Sequence, residues 1–315
     1  MEKLKIVFMG TPDFAVGILD TIYKENYEIA GVITAADKPA GRGQKVSTSA
    51  VKEYALANNL NLLQPTNLKD ESFLAELNAL NANLFVVVAF RMLPEVVWKM
   101  PKFGTFNLHA SLLPQYRGAA PINWAIINGE EKSGVTTFFI DEKIDTGAMI
   151  LQSEITISKN ETAGELHDRL MNLGCTTVLD SLNLIENGKA EPKEQDNSLI
   201  SKTAYKLNKE NCKIDWSKTG GEIHNHIRGL SPYPAAWSFF KDGEQEWNVK
   251  IFEAEFKLEE HNLKTGTIIT TKKEISIAVK GGFIIVHNLQ FPGKKKMKAH
   301  ELLNGIHLTE NAIAL

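Results

Sequence analysis

The stretch LFVVVAF, residues Leu84–Phe90, is apolar at every position. A strand with one face in water alternates apolar and polar side chains, whereas a strand covered on both faces is apolar throughout. The stretch is also shorter than an ordinary buried helix. It therefore predicts a strand of a parallel sheet that carries helices on both faces.

The sequence on either side of this strand alternates between strand and helix patterns. The amino-terminal side contains strand-like KIVFMG and YEIAGVIT, which flank the helical pattern DFAVGILDTIYKEN. The carboxyl-terminal side continues with strand-like KFGTFNLH, SGVTTFFI and GAMILQSEITI, and then with a long amphipathic helix that ends at Gly188. This alternation predicts an α/β fold with a doubly wound, mostly parallel sheet.

A second domain is indicated beyond the long helix. The polar segment AEPKEQDNSLIS, residues 190–201, breaks the pattern and is typical of a linker. A helical piece, GGEIHNHIRGL, and several short strand-like segments separated by turns follow it. We expect these strands to form a small closed or half-closed β-barrel. The predicted domains are 1–189 and 206–315, joined by a linker at 190–205.

Composition narrows the class of protein. The chain has 315 residues, of which 43% are hydrophobic and 23% charged, as in ordinary globular proteins. Its two cysteines, Cys175 and Cys212, cannot build a disulfide framework or a cysteine metal site, and the histidines lack metal-ligand spacing. The sequence has no signal-peptide pattern and no apolar run long enough to span a membrane. We therefore expect a cytoplasmic protein without a metal and without a membrane partner.

Asn107 and His109 end the predicted strand KFGTFNLH. Ligands bind α/β sheets beyond the carboxyl ends of the strands, and residues two apart on a strand point the same way. An amide beside an imidazole suits acyl transfer, because the amide can stabilise an oxyanion and the imidazole can carry a proton. Asp141 or Asp145, in the segment FFIDEKIDTGAMI, could hydrogen-bond the ring and fix its tautomer. A histidine at a strand end and an aspartate in a turn can equally be structural, so both interpretations stay open.

Two basic segments lie in different predicted domains. The first, DKPAGRGQK, predicts a long flexible loop, and the second, FPGKKKMK, is a lysine run; region 206–315 as a whole has 16 lysines and arginines against 13 acidic residues. Each segment alone can be a solvated surface, but together they favour one shared polyanionic partner. The basic residues concerned are Lys38, Arg42, Lys45, Lys294, Lys295 and Lys296.

These motifs resemble a known family. The segment FNLHASLLPQYRGAAPINWAIINGE with IDTGAMI is similar to the 10-formyltetrahydrofolate-dependent formyltransferases, which share Asn-x-His, Ser-Leu-Leu-Pro and a distal Asp. MGTPDFAV, DKPAGRGQK, KIDWSK, IRGLSPYPAAW and GKKKMKAHELLNG are similar to the members that act on charged tRNA, so the resemblance spans nearly the whole chain. It implies a Rossmann-like catalytic domain and an OB-like tRNA-binding barrel. We expect a monomer, although the resemblance does not give the oligomeric state. The implied reaction moves a formyl group from 10-formyltetrahydrofolate to the α-amino group of methionine on initiator tRNA.

The resemblance also implies roles for individual residues. Asn107 and His109 would flank the formyl carbon, Asp145 would partner His109, and the basic residues named above would bind tRNA. The implied folate-binding residues are Ser111, Leu112, Leu113, Pro114, Phe90, Arg91, Met92, Leu93 and Asp141. Arg91 departs from the pattern, in which a glycine is expected after the apolar strand.

Two other functions share parts of this pattern. A formyltransferase that acts on an amino-sugar nucleotide has a similar core, but the Ala-Gly-Arg-Gly loop and the lysine run favour a tRNA substrate. A non-catalytic RNA-binding protein with this fold would be expected to lack Asn107, His109 or Asp145, and all three are present.

Overall fold

The computed structural model describes residues 2–40 and 45–315, which form two compact units. Unit 1 consists of Met1–Gly118, Ser133–Ile155 and His167–Thr203, and unit 2 consists of Ala119–Lys132, Thr156–Leu166 and Ala204–Leu315. Two segments that precede His167 thus group with the carboxyl-terminal region, and no local sequence pattern signals this. The domain boundaries at 189 and 206 remain a prediction.

The strands and helices alternate along the first two-thirds of the chain. The strands are β1 Lys5–Gly10, β2 Glu28–Ile33, β3 Lys38–Ala40, β4 Lys45–Ser47, β5 Leu62–Leu63, β6 Leu84–Val88, β7 Thr105–His109, β8 Arg117–Gly118, β9 Lys132–Phe139, β10 Met149–Thr156, β11 Thr203–Ala204, β12 Ala236–Asp242, β13 Gln245–Leu258, β14 Ile268–Thr270, β15 Ile275–Val279, β16 Gly282–Gln290, β17 Met297–Lys298 and β18 Ile313–Ala314. The helices are α1 Asp13–Lys24, α2 Ala50–Ala57, α3 Glu71–Ala79, α4 Glu95–Trp98, α5 Pro121–Ile127, α6 Ala163–Glu186, α7 Gly220–Gly229 and α8 Ala299–Leu303. Among the helices of residues 2–40 and 45–315, none is both long and apolar enough to cross a lipid bilayer.

A seven-stranded sheet in the order β10-β9-β7-β6-β1-β2-β5 forms the centre of unit 1. Strands β2, β1, β6 and β7 pair in parallel, whereas β9 runs antiparallel to β7. Strand β6 is buried at every position, as its apolar sequence predicts. The predicted α/β class with a mostly parallel sheet is confirmed.

Strand β7 presents different side chains to its two faces. A Cβ atom added to Gly174 of α6 would lie 2.8 Å from Leu108 Cδ2 and 3.3 Å from Ile18 Cδ1. Glycine therefore lets α6 lie close to the strand, and Leu108 packs on the face that α1 and α6 cover. Because side chains alternate along a strand, Asn107 and His109 point to the opposite face.

The strands of unit 2 form a nearly closed antiparallel barrel in the order β14-β15-β16-β13-β12-β18, with β17 beside β16. Main-chain hydrogen bonds join the two ends of this order, from Ile268 to Ala312 at 2.9 Å and from Ala314 to Gly266 at 2.8 Å. The predicted β-barrel is confirmed. Its buried core includes Phe240, Val249, Ile251, Ile277, Ile284, Val286 and Leu289.

Two segments expected to be loop or linker contain regular main-chain pairing. Strands β3 and β4 pair antiparallel, with Lys38 opposite Ser47, so the segment predicted as one flexible loop begins and ends in paired strands. Arg42, predicted to contact tRNA, lies outside the described residues. In the predicted linker, Lys193 and Met149 exchange main-chain hydrogen bonds of 2.7 and 2.8 Å. These partners are far apart in sequence, which is why no local pattern predicts the pairing.

Candidate active site

Asn107 and His109 lie at the carboxyl end of β7, on the same face of the sheet. His109 is buried, with 7% of its surface exposed, and Asn107 is half-buried. The side-chain amide of Asn107 makes no hydrogen bond to any residue within 2–40 or 45–315. An amide donor without a partner therefore lies beside an imidazole, as the sequence predicts.

Two different groups face the two nitrogens of the His109 ring. Nε2 lies 2.8 Å from the main-chain carbonyl oxygen of Tyr116, and Nδ1 lies 3.9 Å from Oδ2 of Asp145. A carbonyl oxygen can only accept, so Nε2 carries a hydrogen and Nδ1 is the nitrogen that gains or loses a proton. The expected hydrogen bond between Asp145 and the ring is absent, because 3.9 Å exceeds hydrogen-bond distance. Tyr116 fixes the tautomer instead, and Asp145 supplies a negative charge near Nδ1.

The loop between β9 and β10 brings Asp145 to this position. Because β9 is antiparallel to β7, the loop begins at the opposite end of the strand, where the Ile140 N–H donates to Thr105 O at 2.8 Å. It then turns back to His109. Asp145 has a φ of 56°, and its Oδ2 accepts a hydrogen bond from the Gly118 N–H at 2.9 Å.

Asp141 shapes the same loop. Its Oδ1 accepts hydrogen bonds from the Lys143 N–H at 2.9 Å and from the Thr146 hydroxyl at 2.6 Å. Both donors belong to the loop itself, so the Asp141 carboxylate closes a local turn. Its predicted contact with folate stays a prediction.

Gln195 and Arg117 hold this loop from outside. The Gln195 amide nitrogen donates to the carbonyl oxygens of Asp145 and Gly147, at 2.9 Å each. Its amide oxygen accepts from Nε and Nη2 of Arg117, at 3.1 and 2.6 Å. Burial lowers the pKa of the Arg117 guanidinium, and the nearby carboxylates of Asp145 and Asp141 oppose that shift. Neither residue was predicted as a site residue. Arg117 lies in the YRG motif, which could have indicated it, whereas a glutamine in a polar segment has no distinguishing pattern.

The Ser-Leu-Leu-Pro turn is held by polar contacts beneath it. The Thr136 hydroxyl donates to Ser111 O at 2.7 Å and accepts from the Leu113 N–H at 3.2 Å. The Gln152 amide donates to Leu113 O at 3.0 Å. Ser111, Leu113 and Pro114 are buried and Leu112 is half-buried, so the first three shape the turn. Their role in folate binding stays a prediction.

Arg91 ties the segment after β6 to a neighbouring loop. Its Nη1 donates to Thr66 O at 2.9 Å and its Nη2 to Pro65 O at 2.5 Å. Its guanidinium carbon lies 5.6 Å from the centre of the Phe90 ring. An arginine in place of the expected glycine therefore anchors this segment through its side chain. Leu93 is buried, whereas Met92 is 67% exposed and leaves an apolar surface beside the carboxyl edge of β6.

The basic residues predicted to bind tRNA occur in both units. Lys38 and Lys45 belong to β3 and β4 of unit 1. Lys294, Lys295 and Lys296 are exposed in the turn between β16 and β17 of unit 2, and the Lys296 ammonium lies 4.8 Å from the Phe252 ring. Their contact with a nucleic acid stays a prediction. In the part of the chain that the structure describes, no group of three or more His, Cys, Asp or Glu side chains could hold a metal ion.

The fold is one that formyl-transferring enzymes share. The family described as Formyl transferase matches residues 4–182, and the description Formyl transferase, C-terminal domain matches residues 206–307. The chain therefore belongs to the formyl transferase family, which confirms the predicted enzyme class.

Within this family, the chain is most clearly similar to methionyl-tRNA formyltransferases. The methionyl-tRNA formyltransferase of Flavobacterium johnsoniae is 71% identical over 312 residues, which cover 99% of each chain. The methionyl-tRNA formyltransferase of Bacteroides thetaiotaomicron is 52% identical over 98% of each chain. These matches confirm the similarity to formyltransferases that act on methionyl-tRNA.

Among solved structures, the sugar 3N-formyl transferase WlaRD, with dTDP and 5-N-formyl-THF, is 26% identical with a TM-score of 0.65. The match covers 94% of this chain and all of WlaRD. An N-formyltransferase from Helicobacter canadensis, complexed with folinic acid and dTDP-3-aminofucose, is 25% identical with a TM-score of 0.63 and covers 90% of this chain and 98% of that one. Enzymes with different amine substrates therefore share this architecture.

Proposed function

We propose that this chain transfers the formyl group of 10-formyltetrahydrofolate to the α-amino group of methionine on initiator methionyl-tRNA. The observation that carries the chemistry is the cluster at the end of β7, where a free amide, an imidazole and a carboxylate converge. The acceptor follows from 71% identity to a methionyl-tRNA formyltransferase over 99% of each chain.

Three side chains of the site, those of Asn107, His109 and Asp145, each contribute to the reaction. The amine nitrogen attacks the formyl carbon, the bond from that carbon to the folate nitrogen breaks, and one proton moves from the amine to the folate nitrogen. The Asn107 amide donates a hydrogen bond to the formyl oxygen as negative charge develops there, a contribution of about 3 kcal/mol to the transition state. Nδ1 of His109 receives the proton from the amine and returns it to the leaving nitrogen. Asp145 stabilises the imidazolium that exists between these steps.

Folate would bind at the carboxyl edge of the sheet. Exposed Met92 and Ile144, 67% and 61% accessible, offer apolar surface on the segments that follow β6 and β9. Main-chain groups of the loop that Asp141 closes would meet the polar edge of the pterin. The folate-bound formyltransferases among the structural relatives support the same class of co-substrate.

The tRNA would be held largely through its phosphates. The exposed Lys294–Lys296 run on unit 2 and the basic segment around Arg42 on unit 1 supply positive charge. Such contacts bind polyanions without reading sequence. A protein that acts on charged tRNA would work in the cytoplasm. The proposed reaction requires no metal ion, and we expect the protein to be a monomer.

An assay with purified protein and 10-formyltetrahydrofolate tests the proposal. Charged initiator methionyl-tRNA, free methionine and a dTDP-linked 3-amino-sugar are offered in parallel. We expect formylation of the charged tRNA alone. Formylation of the amino-sugar alone would instead support the second candidate function, which the solved sugar formyltransferases favour. Formylation of none of the three would overturn the proposed acceptor.

A further inference from the structure

The side-chain amide of Gln195 forms hydrogen bonds at both of its ends. Its amide nitrogen faces two carbonyl oxygens and its amide oxygen faces two N–H groups of a guanidinium. Carbonyls only accept and guanidinium only donates, so the orientation of the amide is unambiguous. A carboxylate could satisfy Arg117 but could not donate to the carbonyls. The residue is 7% exposed, and both ends of the amide are therefore used where water has little access.

The loop between β9 and β10, to which Gln195 is hydrogen-bonded, has a restricted main-chain conformation. Asp145 has a φ of 56°, in the left-handed region that a non-glycine residue adopts only where its surroundings hold it. A Cβ atom on Gly147 would lie 1.7 Å from the carbonyl oxygen of Phe139, so the chain passes close to β9. Gln195 binds the carbonyls of both Asp145 and Gly147, on either side of the bend.

The main chain and the side chain of Asp145 are thus fixed by different groups. Gln195 holds the carbonyl, and the Gly118 N–H holds Oδ2 at 2.9 Å. The carboxylate then lies 3.9 Å from His109 Nδ1 without a direct hydrogen bond to restrain that distance. The separation depends on the loop position, so a loss of the amide grip should move the charge away from the ring.

We propose that Gln195 is a positioning residue for the formyl-transfer reaction, which it serves by holding Asp145 beside His109, with Arg117 orienting its amide. The inference rests on the proposed function, because it requires that Asp145 contribute to catalysis. Gln195 lies in the segment 190–201, whose sequence is typical of a linker, and this segment would therefore contribute to the active site.

The test compares Gln195→Ala and Gln195→Glu with the matched control Asn83→Ala. Asn83 also bridges main-chain groups, accepting from the Lys5 N–H at 2.8 Å and donating to Lys3 O at 2.9 Å, but at the amino end of β6. We expect both Gln195 variants to lose about 10- to 100-fold in kcat, with KM for folate and for charged tRNA nearly unchanged, because a misplaced group costs rate rather than uniform binding. Asn83→Ala should lower the melting temperature as much as the Gln195 variants do, but its kcat should be unchanged.

A double-mutant comparison in the Asp145→Asn background separates positioning from general destabilisation. We expect Asp145→Asn alone to lower kcat and Gln195→Ala to add little to that loss, since residues that act as a unit are not additive. Equal fold-losses in both backgrounds, or an unchanged kcat in Gln195→Ala, would overturn the inference while leaving the proposed function standing. An unchanged kcat in Asp145→Asn would overturn the proposed role of Asp145 itself, and the inference with it.

Discussion

The carbonyl oxygen of Tyr116 lies 2.8 Å from Nε2 of His109 and thereby selects which ring nitrogen exchanges protons. Because the acceptor is a main-chain group, Nε2 keeps its hydrogen whether the ring is neutral or charged. Nδ1, on the side of Asp145, is left to accept and release the proton of the reaction. The tautomer is thus determined by the turn that follows β7.

This geometry predicts the Nε2–H tautomer for the neutral ring. With ¹⁵N-labelled histidine, the Nε2 signal of the neutral His109 ring should be that of a nitrogen that carries a hydrogen, and the Nδ1 signal should be that of a nitrogen that carries none. The His109→Gln variant identifies the resonances by their disappearance. A neutral ring that carries its hydrogen on Nδ1 would contradict the assignment.

Asn107→Ala should slow catalysis with little effect on binding. The amide acts on charge that develops only in the transition state, so kcat should fall by about 100- to 1000-fold while the KM values for folate and tRNA change little. Steady-state kinetics measure both quantities. Asn107→Asp is the control of nearly equal size; it lacks the donor and should be no better than alanine. A rise in KM with kcat preserved would show that Asn107 binds substrate instead.

Loss of the lysine run should weaken tRNA binding and make it less sensitive to salt. In Lys294→Ala/Lys295→Ala, the slope of log Kd against log salt should fall by up to about 2, because each phosphate contact contributes about 0.7 to 0.9. Affinity for 10-formyltetrahydrofolate should not change. A titration of tRNA binding over a range of KCl concentrations gives the slope.

The double variant Lys272→Ala/Lys273→Ala is a matched control, since these exposed lysines lie in the turn between β14 and β15 of the same unit. If it reduces the slope as much as the Lys294/Lys295 variant does, the effect comes from net charge and the lysine run has no special role.

Stability should fall in mild acid because of His226. Burial lowers the pKa of its imidazole in the folded protein, and main-chain groups of Cys212 oppose that shift. As the pH falls through about 6.5, the unfolded chain binds a proton that the folded chain does not, so the free energy of unfolding decreases, by at most about 1.4 kcal/mol per pH unit. His226→Gln cannot titrate and should escape this loss. Urea unfolding between neutral and mildly acidic pH measures the free energy of unfolding of both proteins. If the loss of this free energy on acidification is the same in the His226→Gln variant as in the unsubstituted protein, the prediction is contradicted.

Part of the site could be predicted from local pattern. The strand period places Asn107 and His109 on one face, and the end of a parallel strand in an α/β sheet places them where ligands bind. Asp145 could be predicted as a catalytic residue only because its segment, IDTGAMI, resembles a family motif, since an aspartate in a turn has no distinguishing spacing. Gln195 could not be found at all, because a single glutamine in a polar segment follows no periodicity.

The sequence by itself determined the fold class, the barrel and the acyl-transfer pair, because burial patterns and side-chain alternation are properties of neighbouring residues. Only the tertiary structure decided which nitrogen of His109 is open, how a loop from an antiparallel strand returns Asp145 to the far end of β7, and that Gln195 grips this loop from a segment 50 residues away. Those features depend on contacts between residues distant in the chain, and such contacts form only when the sheet has assembled.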